Sequence, residues 1–210
     1  MPRLRSLPCT GAGILLLTLH LSLGAAESPR ATLHATIERL ILVFQDPALQ
    51  GTDHHQERME KVREIVRPQF AFREMAHQAL GTHWRDCTEA EQREFVRLFT
   101  ALLEQVYSDI LERSAAKMEV LFTQERLQGT VAEVDTQVRA APHEQPVAIT
   151  YRLREVGEKW LVDDVVIERV SLVQNYRAQF RRLLRTGSCA ALVQELEGKQ
   201  RELEGEATPP

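Results

Sequence analysis

The sequence is short of cysteine, of aromatic surface and of positive charge. Its 210 residues include three cysteines, and aromatic residues make up 6%. The cysteines form neither a CxxC pair nor a disulfide framework. A formal net charge of −4 gives no support to a nucleic-acid role. Zinc needs convergent imidazoles or thiolates, and there is no HExxH. His54 and His55 are adjacent and so point to different faces of any helix, while His77 and His83 straddle Gly81. No serine sits in GxSxG and no glycine-rich phosphate loop is present. Cys87 lies in RDCTEA, among acidic neighbours that oppose thiolate formation. Asp163-Asp164 suggests paired carboxylates, but neighbouring strand residues face opposite ways. One of the two is expected to face inward with an arginine partner and the other to be solvated. No catalytic residue, metal ligand or cofactor is assigned.

Long apolar runs are also missing after the first 25 residues, so no later segment is long enough to span a bilayer. The N-terminus has the three parts of an export signal. Arg3 and Arg5 supply positive charge, Gly11 to Leu23 an apolar run, and Gly24-Ala25-Ala26 the small residues of a cleavage site. That run is about 13 residues, against about 20 for a membrane span. Residues 1–26 are therefore expected to be a cleaved signal peptide, with a mature chain that starts near Glu27 and is soluble outside the cytoplasm. Cys9 precedes the apolar run and so cannot be a lipoprotein cysteine. Losing Arg3 and Arg5 takes the formal charge from −4 to −6. Cys87 and Cys189 remain, and they pair only if the fold brings their α-carbons close.

What is abundant is periodic apolar side chain. Leu33, Ile37, Leu40, Ile41 and Phe44 share a helical face that ends at Asp46-Pro47. Met59, Val62, Ile65 and Val66 mark a second helix, stopped before Pro68. Met75 to Leu80 form a third, ended by Gly81. Thr88-Glu89-Ala90-Glu91 is a capping box for a long helix carrying Phe95, Phe99, Leu102, Val106 and Ile110. After Lys117 the period changes to two. Strands are expected at Val120–Phe122, Val134–Val138, Val147–Leu153 and Trp160–Val170, the last two joined by a turn at Val156-Gly157-Glu158-Lys159. A helix with Leu172, Tyr176 and Phe180 on one face follows, Gly187 breaks it, and Ser188 caps a last helix through Leu203. Gly205 to Pro210 reads as a disordered tail.

Helices, then a strand meander, then helices point to an α+β fold: a curved antiparallel sheet of about four strands packed against N-terminal and C-terminal helices. Residues 27–204 form one domain in this reading. Apolar residues lie on two opposed surfaces, one from the long helix and one from the strands. Core packing accounts for such a surplus; an apolar cavity between the two surfaces is the sharper reading.

Several stretches in order carry a family resemblance. They are Ala79-Leu80-Gly81 with Trp84, Glu91-Gln92-Arg93 with Phe95, Trp160 with Asp163 or Asp164, and Val170-Ser171-Leu172 with Asn175-Tyr176-Arg177 and Phe180. Over roughly Leu33 to Leu203 the chain resembles the MlaC, or toluene-tolerance, family of periplasmic phospholipid-binding proteins. The resemblance implies a nuclear-transport-factor-2-like shape that holds phospholipid acyl chains between sheet and helices. It also implies a shuttle in the Mla pathway, which maintains outer-membrane lipid asymmetry. The implied partners are an inner-membrane MCE-domain ABC transporter complex and an outer-membrane lipoprotein–porin complex. A hopanoid or other amphiphile is an alternative cargo, and a small-molecule enzyme on the same cone-shaped fold is the alternative from another class.

On that basis the expected cavity wall comprises Phe99, Leu103 and Tyr107 from the long helix, and Tyr151, Leu153, Trp160 and Val165 from the sheet. Val170, Val173, Tyr176 and Phe180 complete it from the closing segment. Arg152, Arg169 and Arg177 are candidate headgroup or docking cations, because a guanidinium matches phosphate geometry. One residue departs from the resemblance: Arg169 stands where these proteins commonly carry glycine before Val-Ser. If the backbone there has positive φ, arginine is strained by about 1 kcal/mol or more.

Overall fold

The local signals become six α-helices among the described residues, which are 27–140 and 145–206 of a computed structural model. The helices are α1 (Pro29–Gln45), α2 (His55–Val66), α3 (Phe72–Leu80), α4 (Glu89–Ser114), α5 (Leu172–Leu184) and α6 (Cys189–Glu206). The expected signal peptide lies outside the described residues, as do residues 207–210 of the expected tail. Gly205 and Glu206 belong to α6 rather than to a disordered segment.

Helix ends follow their caps. Thr88 N–H donates to the Glu91 carboxylate at 2.7 Å, and Glu91 N–H donates to the Thr88 hydroxyl at 3.3 Å, closing the capping box of α4. Ser171 caps α5 by accepting from Gln174 N–H at 3.0 Å, and Ser188 accepts from Ala191 N–H at 3.2 Å at the head of α6. Gly81 ends α3 with φ of 59°.

Five antiparallel strands follow in sequence order: β1 (Glu119–Gln128), β2 (Val131–Arg139), β3 (Val147–Val156), β4 (Lys159–Ile167) and β5 (Val170–Ser171). The fourth strand does not run to Val170 as the sequence suggested. It stops at Ile167, and Glu168 and Arg169 make a two-residue turn with φ of 48° and 69°. Ile167 then pairs with Val170. Two left-handed residues in a tight hairpin match the right-handed twist of the strands. The period-two pattern hid this turn because neither residue is a glycine, asparagine or aspartate.

A bulge bends the sheet between β3 and β4: Leu153 opposes Val162 and Arg152 opposes Asp164, leaving Asp163 as the extra residue. This corrects the expectation for the two aspartates. Both are buried, at 8% and 4% exposure, and both have arginine partners. Asp163 accepts from Arg154 at 2.9 Å and Asp164 from Arg152 at 3.1 Å. Alternation fails here because the bulge inserts a residue, and the two arginines, two apart on β3, share one face.

Apolar burial falls into three clusters. One joins α3, α4, α5 and α6 around Phe95, Phe99, Val173 and Phe180. The second seats Leu33 and Ile37 of α1 on the sheet face of Ala132, Val134, Leu153, Trp160 and Val162. The third packs Leu40 and Phe44 of α1 against Met59, Val62 and Ile65 of α2. Cys87 and Cys189 are disulfide-bonded with α-carbons 5.4 Å apart, tying the segment before α4 to the first residue of α6.

Candidate functional site

The expected wall residues separate into two groups. Phe99, Leu103, Val173, Tyr176 and Phe180 belong to the helical cluster, with Tyr107 half-buried against it. Leu153 and Trp160 belong to the sheet cluster, with Tyr151 and Val165 half-buried against it. α4 packs closely on α3 and α6 and makes no comparable contact with a strand among the described residues. The helical and sheet surfaces therefore form two separate apolar clusters, linked where α3 and α5 pack on β4. Phe70 packs against both clusters, and Ala71 N–H donates to Val162 carbonyl at 2.8 Å. Phe70 thus joins the walls at one side. The sequence offered only Pro68, as a helix stop, to mark this junction.

Not every expected residue has free surface. Phe99 (0%), Leu153 (1%) and Phe180 (3%) are enclosed by neighbours. Phe99 meets Phe180 and Tyr176 edge to face at centroid distances of 5.7 and 5.2 Å. Val170 is 60% exposed beside the Glu168–Arg169 turn and belongs to neither cluster. On the sheet wall, the opening bounded by Leu33, Thr36, Phe70, Leu153, Trp160 and Val162 measures about 10 Å³, no more than one water occupies. Toward the other end the apolar surface is less well covered. Val106 and Ile110 of α4 are exposed, and Ile149, Tyr151, Val165 and Ile167 of the sheet are half-buried.

All three tyrosines, Tyr107, Tyr151 and Tyr176, lie on these walls. Burial pushes the hydroxyl of Tyr151 up to about 12, and burial together with nearby Tyr107 does the same for Tyr176. Burial also raises Tyr107. No tyrosine hydroxyl has a hydrogen-bond partner among the described residues, and no fully sealed side-chain oxygen or nitrogen lacks one. Each phenol therefore keeps contact with open space. Tyr151 is half-buried on the sheet wall, paired across the strands with Val134 and Val165.

The polar candidates divide as well. Arg152 is held by Glu133 and Asp164, both at 3.1 Å, on the sheet face opposite Tyr151. That ion pairing, continued by Arg126 with Glu133 and Asp135, uses its charge. Arg169 is exposed in the left-handed turn. Arg177 lies against Gly81, uniting two of the sequence's distinctive stretches. Asp163 and Asp164 are engaged by arginines, and no cluster of three or more His, Cys, Asp or Glu residues able to hold a metal occurs among the described residues.

A family model described as MlaC protein matches residues 34–198. The chain belongs to the MlaC family. No curated protein matches it. Among solved structures, this MlaC-family chain is similar to the phospholipid-binding protein from Ralstonia solanacearum, determined in complex with a phospholipid. The identity is 24%, the TM-score 0.75, and the match covers 84% of this chain and 99% of that one. At that identity the likeness is one of fold: the α+β layout and open sheet are shared.

Proposed function

We propose that this MlaC-family chain is a phospholipid carrier whose acyl-chain site lies between the α4–α5 wall and the inner face of the sheet. The observation that carries the reading is the presence of two separate apolar clusters, one helical and one on the sheet, bordered by Tyr107, Tyr151 and Tyr176, whose hydroxyls have no protein partners among the described residues. The family and the phospholipid-bound relative support the same cargo. Each methylene removed from water contributes about 0.8 kcal/mol, so two chains with about 30 methylenes gain on the order of 20 kcal/mol in an enclosed site. A shallow groove could not offset that exposure. Seating the chains requires the two walls to part, with Tyr107, Tyr151, Val165 and Tyr176 facing the lipid. The free phenols are suited to donate to ester or phosphate oxygens.

In this proposal residues 1–26 direct export and residues 27–204 form the carrier. It works in the periplasm, moving phospholipid between an outer-membrane lipoprotein–porin complex and an inner-membrane MCE-domain transporter. Native mass spectrometry of gently purified protein, with organic extraction and lipid identification, tests the cargo. Phospholipid bound in simple stoichiometry is the expected result. Protein that carries no lipid under any expression condition would refute the carrier reading, and a hopanoid in place of phospholipid would refute the cargo. Transfer between vesicles bearing the two membrane complexes tests the shuttle.

A further inference from the structure

The structure also points to a second site, and we propose that it binds a phosphate-type oxyanion between α5 and the 3-10 turn Gly81–Asp86. A pocket of about 310 Å³ opens there, lined by Thr82, His83, Gln174, Arg177 and Arg181 among others. On α5, Gln174 and Arg181 lie away from Leu172, Val173, Tyr176 and Phe180, which face the helical core, and Arg177 flanks that face beside Val173. The pocket therefore opens on the outer side of α5.

Three observations give it an anionic ligand. The Arg177 guanidinium rests against Gly81: a Cβ there would lie 2.8 Å from its Nη2 and 2.9 Å from its Nε. Glycine leaves it room, and Gly81 itself has φ of 59°. Neither Arg177 nor Arg181 has a carboxylate partner among the described residues, which leaves both guanidinium groups available to a ligand, as are those of other exposed arginines such as Arg39 and Arg185. Arg177, Arg181 and Arg185 follow one another at four-residue spacing, an arrangement that repels and weakens a helix unless an anion offsets it. The helix dipole favours Arg181 in the last turn of α5, but not Arg177 five residues into the helix.

The donors favour phosphate over carboxylate. Two guanidinium forks, the Thr82 hydroxyl, the Gln174 amide and a His83 ring nitrogen exceed what two carboxylate oxygens can accept. His83 Nδ1 lies 3.3 Å from Asp86, which leaves Nε2 for a ligand. Free phosphate and the headgroup of an anionic phospholipid at a bilayer surface both supply this chemistry.

The full chain is titrated with inorganic phosphate at constant ionic strength, followed by amide chemical shifts. It is also sedimented with phosphatidylglycerol or phosphatidylcholine vesicles. Saturable phosphate binding is expected, weakened about tenfold or more by Arg181→Gln and by Arg177→Gln, the scale of one charge-assisted hydrogen bond. Arg181→Gln leaves the Gly81 contact intact and serves if Arg177→Gln unfolds. Phosphatidylglycerol binding that phosphate competes away assigns the headgroup as source; phosphate binding without vesicle preference assigns the free ion. Equal binding of acetate, an equal effect of Arg39→Gln on the exposed face of α1, or no saturable binding in either arm would each overturn the proposal.

Discussion

Replacing Asp164 with alanine is expected to lower stability by about 2–4 kcal/mol, mainly from a buried donor left unpaired and the loss of charged hydrogen bonds. Its carboxylate is 4% exposed and accepts from Ser171 Oγ at 2.6 Å, Val173 N–H at 3.1 Å and Arg152 at 3.1 Å. Alanine strands the buried Val173 N–H at the head of α5, a loss of about 1–3 kcal/mol by itself. Ser171 still caps Gln174, and half-exposed Arg152 still reaches Glu133, so those two contacts add less. A domain of ordinary stability, about 5–15 kcal/mol, survives this loss in weakened form. Urea unfolding at pH 7 followed by circular dichroism measures it. Asp164→Asn keeps a carbonyl acceptor for Val173 and should fall between wild type and alanine. A double-mutant cycle with Ser171→Ala should give a coupling of about 0.5–3 kcal/mol. Because Asp164 anchors the helix bearing Val173 and Tyr176, the alanine variant should also retain less bound lipid. A loss below about 1 kcal/mol would show that Asp164 does not anchor α5.

The remaining predictions concern the disulfide, the turn and acid. The Cys87–Cys189 bond closes a separation of 102 residues, for which chain entropy gives about 4.7 kcal/mol. A reduced protein, or the double alanine variant, with an unchanged urea midpoint would contradict this. Arg169→Gly relieves a φ of 69° and should raise stability by about 1 kcal/mol; a lower midpoint would show that the arginine side chain contributes more than its backbone loses. Glu133 is held below its ordinary pKa by hydrogen bonds from Arg126 and Arg152, and Asp135 by Arg126 despite partial burial. Depressed carboxylate pKa values stabilise the fold fully above the unfolded-state values near pH 4 and lose that contribution as pH falls through the folded ones. Arg126→Gln should therefore flatten the acid limb of the stability profile, and an unchanged limb would refute the linkage.

Helices were easy to read because their signals are local. Thr88 and Glu91 cap α4 three residues apart, and Leu172, Tyr176 and Phe180 share a face through simple spacing. The turn at Glu168–Arg169 was not legible, since its left-handed residues lack the usual glycine or asparagine and the β5 pairing beyond it is only two residues long. The departure at Arg169 did mark the right residue. Asp163 and Asp164 were misjudged because a bulge depends on the partner strand. Of the candidate wall, periodicity included Val170, which is exposed, and could not separate Phe99 and Phe180, enclosed in the aromatic cluster, from Tyr151, which keeps open surface.

The sequence by itself determined the order of helices and strands, the caps, the apolar faces and the family resemblance, all carried by residues close along the chain. Tertiary structure decided what depends on distant residues meeting. It paired Cys87 with Cys189, gave both aspartates arginine partners and set Arg177 against Gly81. It also kept the helical and sheet clusters apart instead of fusing them into one core. Spacing specifies which way a side chain points from its own helix or strand. Whether that side chain meets a partner, a neighbour's backbone or an open recess is set by the packing of the other elements around it.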